Sequence, residues 1–222
     1  MALHLIRAVC MGVFVALAAV AVALRAQAHP HVWVTVETEI LEDAQQNLTG
    51  FQHKWTFDEF YSSFAIQGMD KNNDGIYDRE ELKELADVNI NSLKEFGFFT
   101  FPQIAGKQVE CLQPKDYWLE HKDGMLTLHF TLPLKDPVPK LKRKDFHFAV
   151  YDPTFYVAFG FAKDQPVRMA GAHSDCKAEI SKPEEQTPAK SLSESIFSKN
   201  DQLMNFGKSY SETVRLKCGT GS

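Results

Sequence analysis

The sequence predicts an α+β protein in which an antiparallel β-sheet or β-sandwich carries an inserted helix–loop–helix. Most of the chain alternates apolar and polar residues with a period of two, as half-buried strands do. The stretch 57–96 instead shows the spacing of helices on both sides of an acidic loop. The chain has 222 residues, including 17 phenylalanines, which suits a single packed core.

The amino-terminal segment predicts a secretory signal peptide at 1–28. Arg7 precedes an uncharged apolar run at 8–24, and Ala26-Gln27-Ala28 is a small-residue cleavage site. An uncleaved anchor is the alternative, because the run is nearly as long as the ~18 residues of a membrane span. Cleavage would leave one periplasmic domain at 29–222, with no stable membrane insertion.

The charge of the chain bears on its partners. Removal of Arg7 and Arg25 with the leader takes the formal net charge from −5 to −7. An acidic protein gives no reason to expect a nucleic-acid partner, but it suits the handling of cations.

The first elements form a predicted β-hairpin. In "HVWVTVETEI" the valines occupy one face, and the other face carries His31, Trp33, Thr35 and Glu37. After the turn "EDAQQN", the strand "LTGFQHKWTF" places its aromatic residues on one face.

Two helices are expected within 57–96. Thr56 and Glu59 have the spacing of a capping box at the start of the first helix. That helix carries Phe57, Phe60, Tyr61 and Phe64 at helical spacing. The apolar stripe of the second helix consists largely of Leu82, Leu85, Ala86, Asn89, Leu93 and Phe96.

Strands return after about Gln108. A hairpin is predicted around Asp123-Gly124, and the residues that face inward after it are Leu126, Leu128, Phe130 and Leu132. Two more strands are separated by Asp152-Pro153, and a polar linker at 181–200 precedes the last strand.

Three cysteines follow the leader. Cys176 and Cys218 lie in strand-like stretches on the two sides of the linker, and export permits a disulfide between them. Cys111 is then expected to be buried or free.

The loop 70–81 matches the twelve-residue EF-hand pattern. Gly75 stands at the sixth position, where the chain must turn sharply. Hard oxygen ligands suit Ca²⁺, and a lone loop in an exported protein suggests a weak structural site, with Kd ~10⁻⁴–10⁻³ M. The predicted ligands are Asp70, Asn72, Asp74, Ile76, Asp78 and Glu81.

Four histidines are candidate transition-metal ligands because they leave their strands opposite the apolar rows: His29, His31, His129 and His147. If those strands are neighbours, three of the imidazoles could reach one ion. Pro30 has no amide hydrogen and so excludes the usual amino-terminal metal clip, which leaves ordinary imidazole ligation.

The remaining histidines are less informative. His53 shares its face with Phe51 and Trp55, so a core or hydrogen-bonding role and metal ligation are both open. His121 and His173 lie near turns and are expected to be solvated.

Several of these motifs together resemble a known family of unknown function, catalogued as the periplasmic component of an uncharacterised ABC-type transport system. They occur in the order "AHPHVWV", "WTFDEFYSSF", the acidic loop with "EEL", "LHFTLPL", "YDPTFYVAF" and a late cysteine pair. Members often accompany NicO-type nickel/cobalt permeases, and some look like zinc-uptake accessory proteins. The resemblance therefore implies metal contacts at His29 and His31, although Asn72 departs from a common aspartate.

The leading hypothesis is a periplasmic protein that captures zinc, nickel or cobalt and supports an inner-membrane permease, with a structural calcium site. The alternative is a calcium-stabilised interaction module with no transition-metal role. We expect no enzyme, since the common nucleophile and nucleotide motifs are absent, although a hydrolase using Asp58 or Asp152 is a third reading. The basic stretch Lys140 to Lys144 is interpreted as a solvated loop, with a membrane or permease contact as its alternative.

Overall fold

The computed structural model describes residues 30–170, 175–183 and 207–219. The predicted signal peptide, His29, His173 and the linker beyond 183 lie outside these ranges. The described residues form two sheets with a shared core, which confirms the predicted α+β class.

The first sheet contains six strands in the order β5-β6-β2-β1-β8, and β9 also pairs with β1. Its strands are β1 (Val32–Glu42), β2 (Leu48–Phe57), β5 (Tyr117–Lys122), β6 (Met125–Val138), β8 (Val157–Phe161) and β9 (Val167–Met169). The second sheet contains five strands in the order β10-β11-β7-β3-β4. These are β3 (Thr100–Ile104), β4 (Lys107–Gln108), β7 (Phe146–Val150), β10 (Cys176–Ser181) and β11 (Thr213–Cys218).

The core lies between the two sheets and confirms the predicted strand faces. Along β1 the valines are buried, whereas Trp33 on the opposite face is 55% exposed. Phe51 of the first sheet packs on Phe148 of the second, with ring centroids 4.8 Å apart. The predicted hairpin at Asp123-Gly124 joins β5 to β6, and both residues have the positive φ that a type I′ turn requires.

Two strands depart from the expected antiparallel pattern. β8 and β9 both run parallel to β1, with Val32 opposite Val157. The break at Asp152-Pro153 separates two strands as predicted, but β7 and β8 belong to different sheets. The chain crosses from one sheet to the other at this break, so β7 and β8 do not form a hairpin.

The first helix, α1 (Glu59–Ala65), begins later than predicted. Asp58 is its cap and accepts a hydrogen bond from the Tyr61 amide, whereas Thr56 belongs to β2. The proposed capping box at Thr56 is therefore wrong. Phe60 and Phe64 are 80% and 67% exposed, so their helical spacing does not place them in the core.

The second helix, α2 (Arg79–Leu93), buries Leu82 and Ala86 as the apolar stripe predicts, and it also buries Ile90, which the predicted stripe did not include. The helix ends at Leu93 and is followed by a 3-10 segment in which Gly97 has φ 60°. Phe96 therefore leaves the stripe and is 48% exposed. No helix in the described ranges has the length and apolar character needed to cross a membrane.

The predicted disulfide is present. Cys176 and Cys218 are directly opposite each other on β10 and β11, with their Cα atoms 3.9 Å apart. Cys111 is free and half-buried, and burial is the main reason that the pKa of its thiol is raised to about 12.

The basic stretch Lys140 to Lys144 is not a uniformly solvated loop, because its central arginine is buried. The Arg143 side chain is 1% exposed, and its Nη2 lies 3.1 Å from the Glu42 carboxylate, which is itself 5% exposed. Nη2 also donates to the Gln46 carbonyl, and Nη1 lies 3.7 Å from Asp175. A buried guanidinium needs such partners, and the local sequence gave no sign of them.

Candidate metal sites

The acidic loop closes around the carboxylate of Asp70. Asp70 accepts hydrogen bonds from the amides of Asp74, at 3.2 Å, and Gly75, at 3.0 Å. Gly75 has φ +78°, in the region that favours glycine. The backbone therefore turns at the sixth position of the loop, as the EF-hand pattern predicts.

Glu81 closes the other side of the loop. Its side chain accepts hydrogen bonds from the Lys71 amide, at 2.8 Å, and the Asp78 amide, at 3.2 Å. Asp78 in turn caps α2 by accepting from the Glu81 amide, so this pair forms a capping box. Glu81 is 7% exposed, which is rare for a carboxylate without a charged partner.

In the part of the chain that the structure describes, no three His, Cys, Asp or Glu side chains are grouped to hold an ion. The carboxylates of the loop point to backbone amides instead. An EF-hand shell would need oxygens of these carboxylates as ligands, together with the Asn72 amide oxygen and the Ile76 carbonyl.

Aromatic contacts fix the loop and α2 to the edge strand β5. The Tyr77 ring lies 4.8 Å from that of His121, and the Arg79 guanidinium lies 4.4 Å above the Trp118 ring. His121 is thus packed in part against the loop. This differs from the prediction, which placed His121 in solvent.

His31 lies at one end of the first sheet. His31 is exposed, and its amide donates to the Tyr156 carbonyl at 2.9 Å. The imidazole of His31 lies 4.8 Å from the Tyr156 ring. His29, two residues earlier, is outside the described ranges. The carboxylate of Asp58 accepts from the Trp33 amide at 2.9 Å, which further fixes this end of β1.

His129 lies on the outer face of β6, in a partly covered environment. Its Nε2 is 3.1 Å from Glu120, and its ring stacks on Trp118 with the centroids 4.7 Å apart. Burial lowers the pKa of His129 below its ordinary value, although the hydrogen bond to Glu120 opposes this shift.

The structure does not bring the candidate histidines together. His129 is paired with Lys54 of β2, which is paired with Glu37 of β1. His31 precedes Glu37 by six residues, or roughly 20 Å along the strand. His147 belongs to the second sheet, where burial, and then Arg215, lower the pKa of its imidazole. These three imidazoles therefore cannot share one ion in this fold.

His53 is a core residue. It is fully buried, with the Thr38 hydroxyl 3.0 Å from Nδ1 and the Thr100 hydroxyl 3.3 Å from Nε2. Since Thr100 donates to the Phe98 carbonyl, it accepts from Nε2, and Thr38 donates to Nδ1. The imidazole is neutral, and burial lowers its pKa to about 3. Sequence reasoning missed both threonines, because Thr38 lies on the neighbouring strand β1 and Thr100 lies on the opposite sheet.

The two aspartates considered for hydrolysis have structural partners. Asp58 caps α1, and Asp152 accepts from the Thr154 and Val157 amides at 2.8 and 3.0 Å. Asp152 is 3% exposed and organises the loop that leads to β8.

These observations define a class of two-sheet α+β protein with a disulfide, a helix–loop–helix on one edge and exposed histidine at one end. The chain belongs to a family described as "Protein of unknown function (DUF1007)", whose model matches residues 14–218.

Two relatives are uncharacterised. A protein of Haemophilus influenzae is 30% identical over 197 residues, which cover 86% of this chain and 91% of the relative. An uncharacterised 15.5 kDa protein in the trpE 3' region of Spirochaeta aurantia is 29% identical over 104 residues, or 47% of this chain and 73% of the relative.

Proposed function

We propose that this protein is an exported accessory protein that captures a divalent transition ion, namely zinc, nickel or cobalt, and supports an inner-membrane metal permease of the NicO type. The loop 70–81 would hold Ca²⁺ as a structural ion. The disulfide is compatible with export, and the motif resemblance supports the link to a metal permease.

The observation that carries this proposal is the position of His31. An exposed imidazole lies at the start of a strand whose backbone is fixed on both sides, and His29 is only two residues away. Two imidazoles so close in sequence can supply two nitrogen ligands, and water or the partner protein can complete the coordination. His129 and His147 are too far away to join this site.

We expect His29→Ala/His31→Ala to weaken Zn²⁺ or Ni²⁺ binding at least tenfold, as measured by calorimetry at pH 7.5. Since only neutral imidazole ligates, wild-type affinity should also be weaker in acid than at neutral pH. His147→Ala is the matched control, because it removes an outward histidine from the other sheet. Unchanged affinity in the double variant would rule out capture by these histidines.

A second function is supported by the geometry around Glu81, which is buried and closes the acidic loop. In this reading the protein is a Ca²⁺-stabilised interaction module, and the histidines bind no ion. It shares the calcium site with the first proposal and differs from it in the response to Zn²⁺, Ni²⁺ and Co²⁺, which should not change its melting temperature.

For the calcium site, 10 mM Ca²⁺ should raise the melting temperature by roughly 5 °C. A site with Kd of ~10⁻⁴–10⁻³ M gives about 1.4–2.7 kcal/mol at that concentration. Asp70→Asn/Asp74→Asn should abolish the shift, because it removes two ligand charges. Asp43→Asn/Asp136→Asn, with the same change in charge elsewhere, should retain it. A shift that survives in the loop variant would place Ca²⁺ at another site.

A further inference from the structure

A basic tip lies near the end of β1 opposite to His31. We define it as the 3-10 segment Lys140–Asp145 together with Lys107. Leu141 is 89% exposed, more than any other large apolar side chain in the described ranges. The lysines at 140, 142 and 144 are also exposed, so the leucine is surrounded by positive charge.

The tip is held rigidly by the residue in its middle. Arg143 is buried against Glu42, Gln46 and Asp175. The Lys140 amide also donates to Asn47 Oδ1 at 3.3 Å. A 3-10 segment has three residues per turn, so Leu141 and Lys144 project on the same side. The outward direction of these side chains is therefore set by the anchored arginine.

Glu42 and Asp175 pair with the buried Arg143 of the tip, and they account for the charge of that residue. Within the described ranges none of its lysines forms an ion pair. The Asp145 carbonyl accepts from the Ala105 amide at 3.2 Å, which holds the turn with Lys107 beside the segment. Asp136 and Asp145 are the nearest carboxylates in sequence, and the lysines outnumber them. This excess stands out in a chain of net charge −5.

We propose that the basic tip docks on an anionic phospholipid bilayer. Leu141 would enter the headgroup region, and the lysines would pair with lipid phosphates while their methylene stems pack beside the leucine. Basic residues near an anionic surface each contribute about fivefold to affinity, and one apolar side chain adds to this. Rigid anchoring lowers the entropy lost on docking.

This contact would orient the molecule. β1 spans Val32–Glu42, which is about 35 Å, and the tip and His31 lie near its opposite ends. A docked molecule would therefore hold His31 away from the lipid surface. The inference does not depend on metal binding and goes beyond the function proposed above.

The test is flotation of the exported chain with vesicles of phosphatidylethanolamine and phosphatidylglycerol, compared with vesicles of phosphatidylcholine alone. We expect binding to the anionic vesicles only. Lys140→Gln/Lys142→Gln/Lys144→Gln should reduce that binding about 100-fold, and Leu141→Asp should also weaken it. The matched control is Lys83→Gln/Lys163→Gln/Lys182→Gln, which removes three exposed lysines elsewhere and should bind as the wild type does.

Circular dichroism and urea unfolding would establish that each variant is folded. Equal loss of binding in the control triple would overturn the proposal, because net charge alone would then account for attachment. It would also be overturned by unchanged flotation of the tip variants, or by binding only to vesicles that contain a membrane protein. Loss of metal binding in the histidine variant should leave flotation unchanged, so the two proposals fail separately.

Discussion

We expect the stability of this protein to fall steeply as the pH decreases below about 6.5, and His53 to cause much of this loss. Its pKa is about 3 in the folded chain, because the imidazole is fully buried. Between pH 6.5 and 3 the unfolded chain therefore carries one more proton at this residue, and acid favours unfolding. The contribution is fully present above pH 6.5 and decreases by about 1.4 kcal/mol per pH unit below it, or about 5 kcal/mol in total.

His53→Gln is the informative variant. Glutamine can still form hydrogen bonds with Thr38 or Thr100, but it does not titrate. Urea unfolding should show that, between pH 6.5 and 4.5, the variant loses about 3 kcal/mol less than the wild type. His129 and His147 titrate in both proteins, so the difference isolates His53. Parallel stability curves for the two proteins would contradict the prediction.

Loss of the Arg143 guanidinium should destabilise the fold by about 3–5 kcal/mol. Arg143→Met fills a similar volume but removes the guanidinium that lies beside the buried Glu42 carboxylate. The stability of Arg143→Lys should lie between that of Arg143→Met and that of the wild type. An ammonium cannot reproduce the planar fork that reaches both Glu42 and Gln46. Urea unfolding at pH 7 would measure the free energy of unfolding of the wild type, Arg143→Met and Arg143→Lys.

The control is the double variant Glu42→Met/Arg143→Met. Replacing a whole buried ion pair by apolar residues is often neutral, so the double variant should recover most of the stability lost in Arg143→Met. The wild type, Glu42→Met, Arg143→Met and the double variant form a double-mutant cycle. That recovery would show that the two side chains are coupled through their charges. If Arg143→Met is as stable as the wild type, the anchor of the basic tip is not electrostatic.

Local patterns predicted the elements and their faces well. Alternation identified the inward side of β1, β2 and β6, because the side-chain period of a strand is two whatever the strand pairs with. The turn at Asp123-Gly124 was predictable for a similar reason, since positive φ at two successive residues favours this dipeptide. The cysteine pair followed from its place on two late strands.

The helical segment shows where such patterns mislead. The spacing of Phe57, Phe60 and Phe64 suggested one buried face, but Phe57 belongs to β2 and the other two are exposed. A short segment can match the period of a strand and that of a helix at once. The start of α1 is set by Asp58, whose carboxylate caps the helix.

The sequence by itself determined which strand residues point inward and where the acidic loop turns, because each depends on neighbours close along the chain. Only the tertiary structure decided the strand order, the crossing from β7 to β8, the burial of Arg143 and the enclosure of His53 between two threonines. It also separated His31, His129 and His147. These features depend on contacts between residues far apart in sequence, and a periodic pattern carries no information about which strands become neighbours.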